Sequence, residues 1–446
     1  MIGVNLMPGC PQQPDDAEPQ DLRGALAGLP VTVGGNGYRS PGLDRPGAVE
    51  GAGRDAGVAW HYGDPMGEQR ALAAGKAIVD LSHLGLVRVT GEDRLTWLND
   101  LTSQKLDILQ PGQSTETLVL SPQGRIEHAA AVLADHDAVW LITDAGAAPG
   151  LAGWLTSMRF MRRVEVADVT DEYAVIGRFA GENVAETSGD GGVAGGDSGS
   201  GDGGIRWTDP WPGVLPGGTR YGAESSGEPW RLTLALTPQA ALTQTLDGAA
   251  LTWTRLAGTW ALEALRIAAW RPRFGAEVDD TSLPHELDWL RTAVHLNKGC
   301  YRGQETSART HNVGHPPRRL VMLHLDGSDD VLPAHGSIVH MLDGASEVVE
   351  VAGSSETGNG VAVGRVTSAA RHHSLGPIAL AVIKRTIPDD APLTVAAEVA
   401  GRTMSIAAAQ EVIVPSHGES VDRPQPRGPL TRGLRHGDMQ NVHRFG

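Results

Sequence analysis

At 446 residues the chain is long enough for two or three domains with proper cores, and it needs no disulfides to fold. A net charge of −16 excludes a general polyanion-binding surface, so nucleic acid is not the expected partner, although a local basic patch can still take a phosphate or carboxylate. The two cysteines, Cys10 and Cys300, offer neither a CxxC pair nor a disulfide framework, which fits a reducing cytosol.

The start, MIGVNLMPGCPQQPDDAEPQ, lacks a basic n-region and a continuous apolar run, so it does not read as a secretory signal. Every apolar stretch is broken by charge short of the roughly 18 residues a membrane span requires. A cytoplasmic protein without a membrane partner is expected.

Residues 1–55 are rich in Gly, Pro, Asp and Gln and show no sustained period of 2 or 3.6, and read as a disordered leader. EQRALAAGKAIVDLS then reads as one amphipathic helix, LVRVTG as a strand ending in a turn glycine, and GEDRLTWLNDLTS as a helix with Leu95, Leu98 and Leu101 on neighbouring turns. TETLVLS is a strand, and HAAAVLA and AVWLITD, separated by Asp-His-Asp, form a hairpin. The helix GLAGWLTSMRF and the strands RVEVADV and YAVIGRF follow.

Residues 186–204 are a Gly/Ser/Asp-rich insertion, read as a flexible loop. TWALEALRIAAW is a strong helix, and tryptophans at 253, 260, 270 and 289 surround it as core residues or as a stacking surface for a planar ring. Beyond residue 316 the helices stop. RRLVMLHL, SIVHML, EVVEVAG, GVAVGRVTS, PIALAVIKR, LTVAAEVA and MSIAAA are short strands at turn-bounded spacing, which predicts a small β-barrel or sandwich. The fold class is therefore α+β with antiparallel sheets: a body over 56–316, a β-domain over 317–415, and a disordered tail over 416–446.

The run KGCYRGQE, residues 298–305, carries the chemistry that stands out. Gly299 and Gly303 permit tight turns, and Gln304 and Glu305 can open a helix just after Cys300. Lys298, Arg302 and that helix terminus would favour a thiolate, whereas Glu305 opposes it. A buried small hydrophobe is the alternative for Cys300, and a metal ligand is the weaker one, because no second cysteine or spaced His pair accompanies it. Pro316 and Pro317 argue against a helix aligning His311 with His315. Lys298, Arg302, Arg309, Arg318 and Arg319 concentrate positive charge that suits an anionic ligand tail, or else forms a solvated surface. VGGNGY lacks the flanking strand and helix of a nucleotide loop.

KGCYRGQE closely resembles the signature of the YgfZ family of folate-binding proteins, within the superfamily of the glycine-cleavage T-protein, an aminomethyltransferase. The resemblance extends to VDLSHLGLVRVTGEDRLTWLNDLTSQ, ALEALRIAAWRPRFGAEVDDTSLPHEL and GVAVGRVTSA, and covers most of residues 56–415. It implies a T-protein-like body around a central opening, followed by a C-terminal aminomethyltransferase-like β-barrel. It also implies tetrahydrofolate as cofactor and iron-sulfur client enzymes as partners, some of which modify tRNA; since the sequence has no obvious cluster-ligand set, no stably bound metal is expected.

Residue by residue, the resemblance implies a thiol at Cys300 facing the folate opening, with Lys298 and Glu305 as its catalytic neighbours. Arg266, Tyr301, Gly303, Gln304, Arg309 and Glu127 become folate-binding candidates. T-proteins carry Asp-Phe where this chain has Cys300-Tyr301, and an acidic pair where it has Glu127-His128. Those departures favour an iron-sulfur accessory factor over the alternative, a folate-dependent aminomethyltransferase or demethylase, which would be a one-carbon transferase.

Overall fold

The computed structural model describes residues 38–180, 205–222, 227–251, 254–342, 360–399 and 401–422. The chain enters through the short pair β1 (Val49–Glu50) and β2 (Ala59–His61), then helix α1 (Pro65–Ala73) and strands β3 (Ala77–Asp80) and β4 (Gly85–Thr90). Helix α2 (Arg94–Leu101) leads to β5 (Ser114–Leu120), β6 (Ile126–Ala134) and β7 (Ala138–Thr143), and α3 (Ala148–Ser157) to β8 (Glu165–Asp168) and β9 (Tyr173–Phe179). After β10 (Arg206–Thr208) and β11 (Leu232–Pro238) come α4 (Leu242–Leu251), β12 (Arg255–Ala257), α5 (Thr259–Ala268), α6 (Phe274–Glu277) and α7 (Gln304–Asn312).

Two five-stranded sheets build the body. One runs β5-β6-β7-β4-β8, antiparallel throughout; the other runs β10-β11-β9-β3-β12, with only β12 parallel to its neighbour. The alternation along β6 shows why the first sheet sits mid-body: Ala129 and Leu133 join the core shared with the second sheet, while Ala130 and Val132 pack beneath α2 and α3. A sheet buried on both faces reads as a nearly continuous apolar run, as HAAAVLA does.

The last six strands, β13 (Arg318–Leu325), β14 (Ile338–Leu342), β15 (Gly360–His372), β16 (Gly376–Lys384), β17 (Leu393–Val399) and β18 (Arg402–Val412), close an antiparallel barrel in the order β13-β16-β15-β14-β17-β18. RRLVMLHL is apolar at successive positions because both its faces are used. Leu320 and Met322 pack into the body core, and Val321 and Leu323 fill the barrel.

Three expectations need correction. EQRALAAGKAIVDLS is not one helix: Gly75, at φ +69°, ends α1, and the β-branched AIVD segment extends as β3. The leader expected to reach residue 55 gives way to folded chain by residue 38. Tyr38 donates to Ser82 Oγ at 2.6 Å, Ser40 Oγ bonds the buried Asp80, and Asp55 is itself buried. Polar tethers of this kind leave no hydrophobic period to read. At the other end, residues 416–422 lie on the body. Ser420 is buried against His311, and Thr219 donates to Asp422 at 3.2 Å.

EVVEVAG, the 186–204 insertion, Trp253, and all but the last residue of VGGNGY lie outside the described residues. Among the described residues no helix is long and apolar enough to cross a membrane.

Candidate functional site

A cavity of about 860 Å³, counting its open mouth, lies between the two sheets of the body. Ala129 and Ala131 on β6, Ile142 and Thr143 on β7, and Leu232 and Leu234 on β11 form its walls. The small side chains on β6 make the room. Trp207, Trp230, Trp289 and Phe274 add aromatic surface. The apolar walls with a few converging polar groups fit a small-molecule site.

The two arginines that organise the polar groups, Arg271 and Arg273, come from the loop after α5. Arg271 donates through Nη1 and Nη2 to both oxygens of Glu116, at 3.2 and 2.6 Å, and through Nε to Asp209 at 3.0 Å. Glu116 also accepts from Trp289 Nε1 at 3.1 Å and from Thr292 Oγ1, and Asp209 from Trp230 Nε1 at 2.8 Å. Burial opposes the Arg271 charge, but Asp209 and Glu116 outweigh it and push its pKa up. Burial raises the pKa of Asp209 despite Arg271, with Glu116 adding to the rise.

Nearer α6, Arg273 bridges Asp144 at 2.7 Å, Asp55 at 3.1 Å and Glu263 at 3.1 Å. Burial disfavours the Asp55 and Asp144 carboxylates, yet Arg273 holds both below their usual range. A guanidinium has five N–H groups, and the described residues accept three from Arg271 and three from Arg273. Each therefore keeps donors for a ligand.

Arg266, expected to bind folate, lines the same cavity but is saturated. Its five N–H groups go to Glu263 twice, to Glu277 at 2.9 Å, to Arg271 O at 2.7 Å and to Ser368 Oγ on β15 at 2.6 Å. Glu277 accepts in turn from Thr367 and Ser368. Arg266 is thus a clamp between body and barrel.

The KGCYRGQE segment occupies a different place, because none of residues 298–305 lines the cavity. Cys300 is exposed, which corrects the buried-hydrophobe reading, and it is not among the residues that line the cavity. Lys298 is buried, and its Nζ gives its three protons to the carbonyls of Asn99, Thr102 at 2.6 Å and Gln104 at 2.9 Å. Burial lowers its pKa to about 7. Three carbonyl acceptors each require an N–H, so the geometry favours the charged form and leaves no donor for catalysis.

Tyr301 is buried 5.1 Å from Lys298 Nζ, and burial raises its pKa to about 12. Gly303 serves packing: at φ +81° a Cβ there would lie 2.5 Å from Ser121 O. Gln304 Nε2 donates to Lys298 O at 3.3 Å, while Glu305 and Arg309 are exposed.

Glu127 also lies outside the cavity lining and pairs with Arg302 at 2.5 Å. Its neighbour His128 stacks on cavity-lining Phe274 at 6.4 Å, with its pKa lowered to about 4 by burial and by Arg302. The expected basic cluster does not converge. Arg318 pairs with Asp279 and Glu286, and Arg319 is fully buried between Val414 O, Ile387 O and Gln410. Arg271, Arg273, Glu116 and Asp209 escaped the sequence reading. The available signal was the pair of alternating arginines in RPRF directly after a strong helix.

Residues 57–181 match the family described as the GCVT N-terminal domain. The structure of glycine cleavage system aminomethyltransferase T from Bartonella henselae matches with a TM-score of 0.60 at 18% identity, over 82% of this chain and 94% of that one. This chain has the T-protein fold.

Its homologues divide between two descriptions. A mitochondrial protein of Mycosarcoma maydis, named an iron-sulfur cluster assembly factor IBA57 homolog, is 26% identical over 69% of this chain and 75% of its own length. An aminomethyltransferase of Streptomyces coelicolor is 26% identical over 72% of this chain and 82% of its own. A chloroplastic protein of Arabidopsis thaliana, named for transferase activity, is 27% identical over 57% of this chain, which spans only 58% of that relative. Within the T-protein fold, the cavity lies between the sheets of the body and the barrel is held to it through Arg266.

Proposed function

We propose that this protein binds tetrahydrofolate in the central cavity and acts as an accessory factor in the assembly or repair of iron-sulfur enzymes, in the manner of the YgfZ family. The observation that carries the reading is Arg271, held between Glu116 and Asp209 among three tryptophans and keeping free donors. The lining holds five carboxylates (Asp55, Glu116, Asp144, Asp209, Glu263) against three guanidiniums (Arg266, Arg271, Arg273). Such a surface suits a neutral planar head rich in N–H donors and turns an anionic tail toward the mouth. A reduced pterin with its glutamate tail meets both conditions.

Asp209 and Arg271 would hold the head, with Glu116 fixing Arg271 and with Trp207 and Trp289 beside it. When bound, tetrahydrofolate supplies a one-carbon carrier. The iron-sulfur part of the reading is supported by the IBA57 homologue, by the KGCYRGQE resemblance and by an exposed Cys300, which a client protein can reach. Client enzymes include tRNA-modifying ones, and the compartment is the cytoplasm.

A second reading, aminomethyl transfer, is favoured by the aminomethyltransferase homologue. Glu127 weighs against it, since it is engaged by Arg302 rather than turned into the cavity. Two measurements test the proposal. Calorimetry with tetrahydrofolate should show saturable binding, and iron-sulfur enzyme activities lost in a deletion strain should return with the wild-type gene but not with Cys300→Ala. Absence of binding heat removes the folate reading; full rescue by Cys300→Ala removes the thiol's role. Turnover of an aminomethyl donor by the purified protein would establish the second reading instead.

A further inference from the structure

The turn between α3 and β8 carries the sequence Met158-Arg-Phe-Met-Arg-Arg163. Phe160 is 91% exposed and Met161 84%, the highest values among the exposed large hydrophobic side chains described. Arg162 N donates to Arg159 O at 2.9 Å and closes a β-turn, with Phe160 in its second position at φ +40°. Turns with positive φ at that position normally take glycine, asparagine or aspartate. A phenylalanine there carries backbone strain and, so exposed, gains no burial to offset it.

The turn is firmly mounted. Leu155 and Val164 on either side are buried, Trp97 Nε1 donates to Met158 O at 3.2 Å, and Arg163 N donates to Asp93 Oδ2 at 2.9 Å. Three arginines frame the two apolar side chains. Arg162 pairs with Asp100 at 3.0 Å, Arg163 pairs with Asp93 at 3.1 Å and with Glu92, and Arg159 has no ion pair among the described residues. Exposed pairs of this kind contribute little and exchange partners readily.

We propose that this turn is a docking anchor for a folded partner protein that presents an apolar pocket rimmed by carboxylates. Phe160 and Met161 enter the pocket, and Arg159, joined by Arg162 and Arg163 on exchange of their pairs, meets the rim. A rigid aromatic anchor flanked by arginine is the composition of an interface hot spot, and the fixed turn lowers the ordering cost of association. Charge complementarity selects the partner. Two apolar side chains with three arginines, even if all exchange their pairs, on a chain of net charge −16, fall short of what stable attachment to an anionic membrane needs. The same net charge disfavours nucleic acid. None of these residues lines the cavity, so the anchor stands or falls independently of folate binding.

The test places a photoreactive benzoylphenylalanine at position 160 of the full chain in its host cells, with position 251, solvent-facing at 83%, as control. The cross-linked protein is identified, purified and titrated against wild type, Phe160→Gly and Arg159→Glu. The expected result is an adduct specific to position 160. Its affinity for the purified chain should fall about tenfold or more in each variant and weaken with salt. Phe160→Gly should also raise the melting temperature, because it relieves the strain while removing the anchor. Equal adducts at both positions, unchanged affinity in both variants, or binding of wild type to phosphatidylcholine/phosphatidylserine vesicles that Phe160→Gly abolishes would overturn the proposal.

Discussion

The cavity and the 298–305 segment both hold buried charge, but they use it differently. In the segment, Lys298 spends every donor on the backbone of one turn, Asn99 to Gln104, and Gly303 is fixed by the close approach of Ser121. In the cavity, Arg271 and Arg273 are held by carboxylates drawn from residues 55 to 263 and still keep N–H groups for a ligand. A saturated ion holds a fold together, whereas an incompletely saturated one in a cavity can also bind. That contrast supports the proposal that the small-molecule site is the cavity, with Cys300 exposed outside its lining.

The largest expected effect comes from breaking the cavity network. Arg271→Met leaves Glu116 and Asp209 buried without their cation and should cost about 3–5 kcal/mol in urea denaturation. In the segment, Gly303→Ala meets both the positive φ and Ser121 O, and should cost roughly 2–4 kcal/mol without altering a ligand that sits in the cavity.

Acid should weaken the fold through its buried neutral histidines. Burial lowers His285 to about 3 and His372 to about 4, against an unfolded value near 6.5. Below pH 6.5 the unfolded chain takes up these protons while the folded chain does not, so stability falls with pH until the folded values are reached. The slope for His285 alone is about 1.4 kcal/mol per pH unit. Melting temperatures from pH 7 to pH 5 should decline, and less steeply in His285→Gln. The smallest effect belongs to Cys300→Ser, which should stay within about 0.5 kcal/mol of wild type by denaturation, as expected of an exposed side chain.

The barrel strands, the β6–β7 hairpin and helices α2 and α5 were legible because their apolar periods match the faces they bury. The break at Gly75 was hidden because the apolar positions continue through it from α1 into β3. Residues 38–55 were hidden because they are tied down by Tyr38, Ser40 and Asp55 rather than by apolar residues.

The site was less legible for a related reason. KGCYRGQE is contiguous and conspicuous, whereas the cavity charges meet only when residues 55, 116, 144, 209, 271 and 273 are brought together by two sheets. Counting basic residues along the chain joined Lys298 to Arg319, although their partners lie in different parts of the molecule.

The most direct measurement is a calorimetric titration of tetrahydrofolate into wild type, Arg271→Lys and Cys300→Ala. Arg271→Lys keeps the buried charge but loses the two-pronged bond to Glu116. The account predicts binding weakened about tenfold or more in Arg271→Lys and unchanged in Cys300→Ala. Unchanged binding in a folded Arg271→Lys, together with lost binding in Cys300→Ala, would contradict it and return the site to the 298–305 segment.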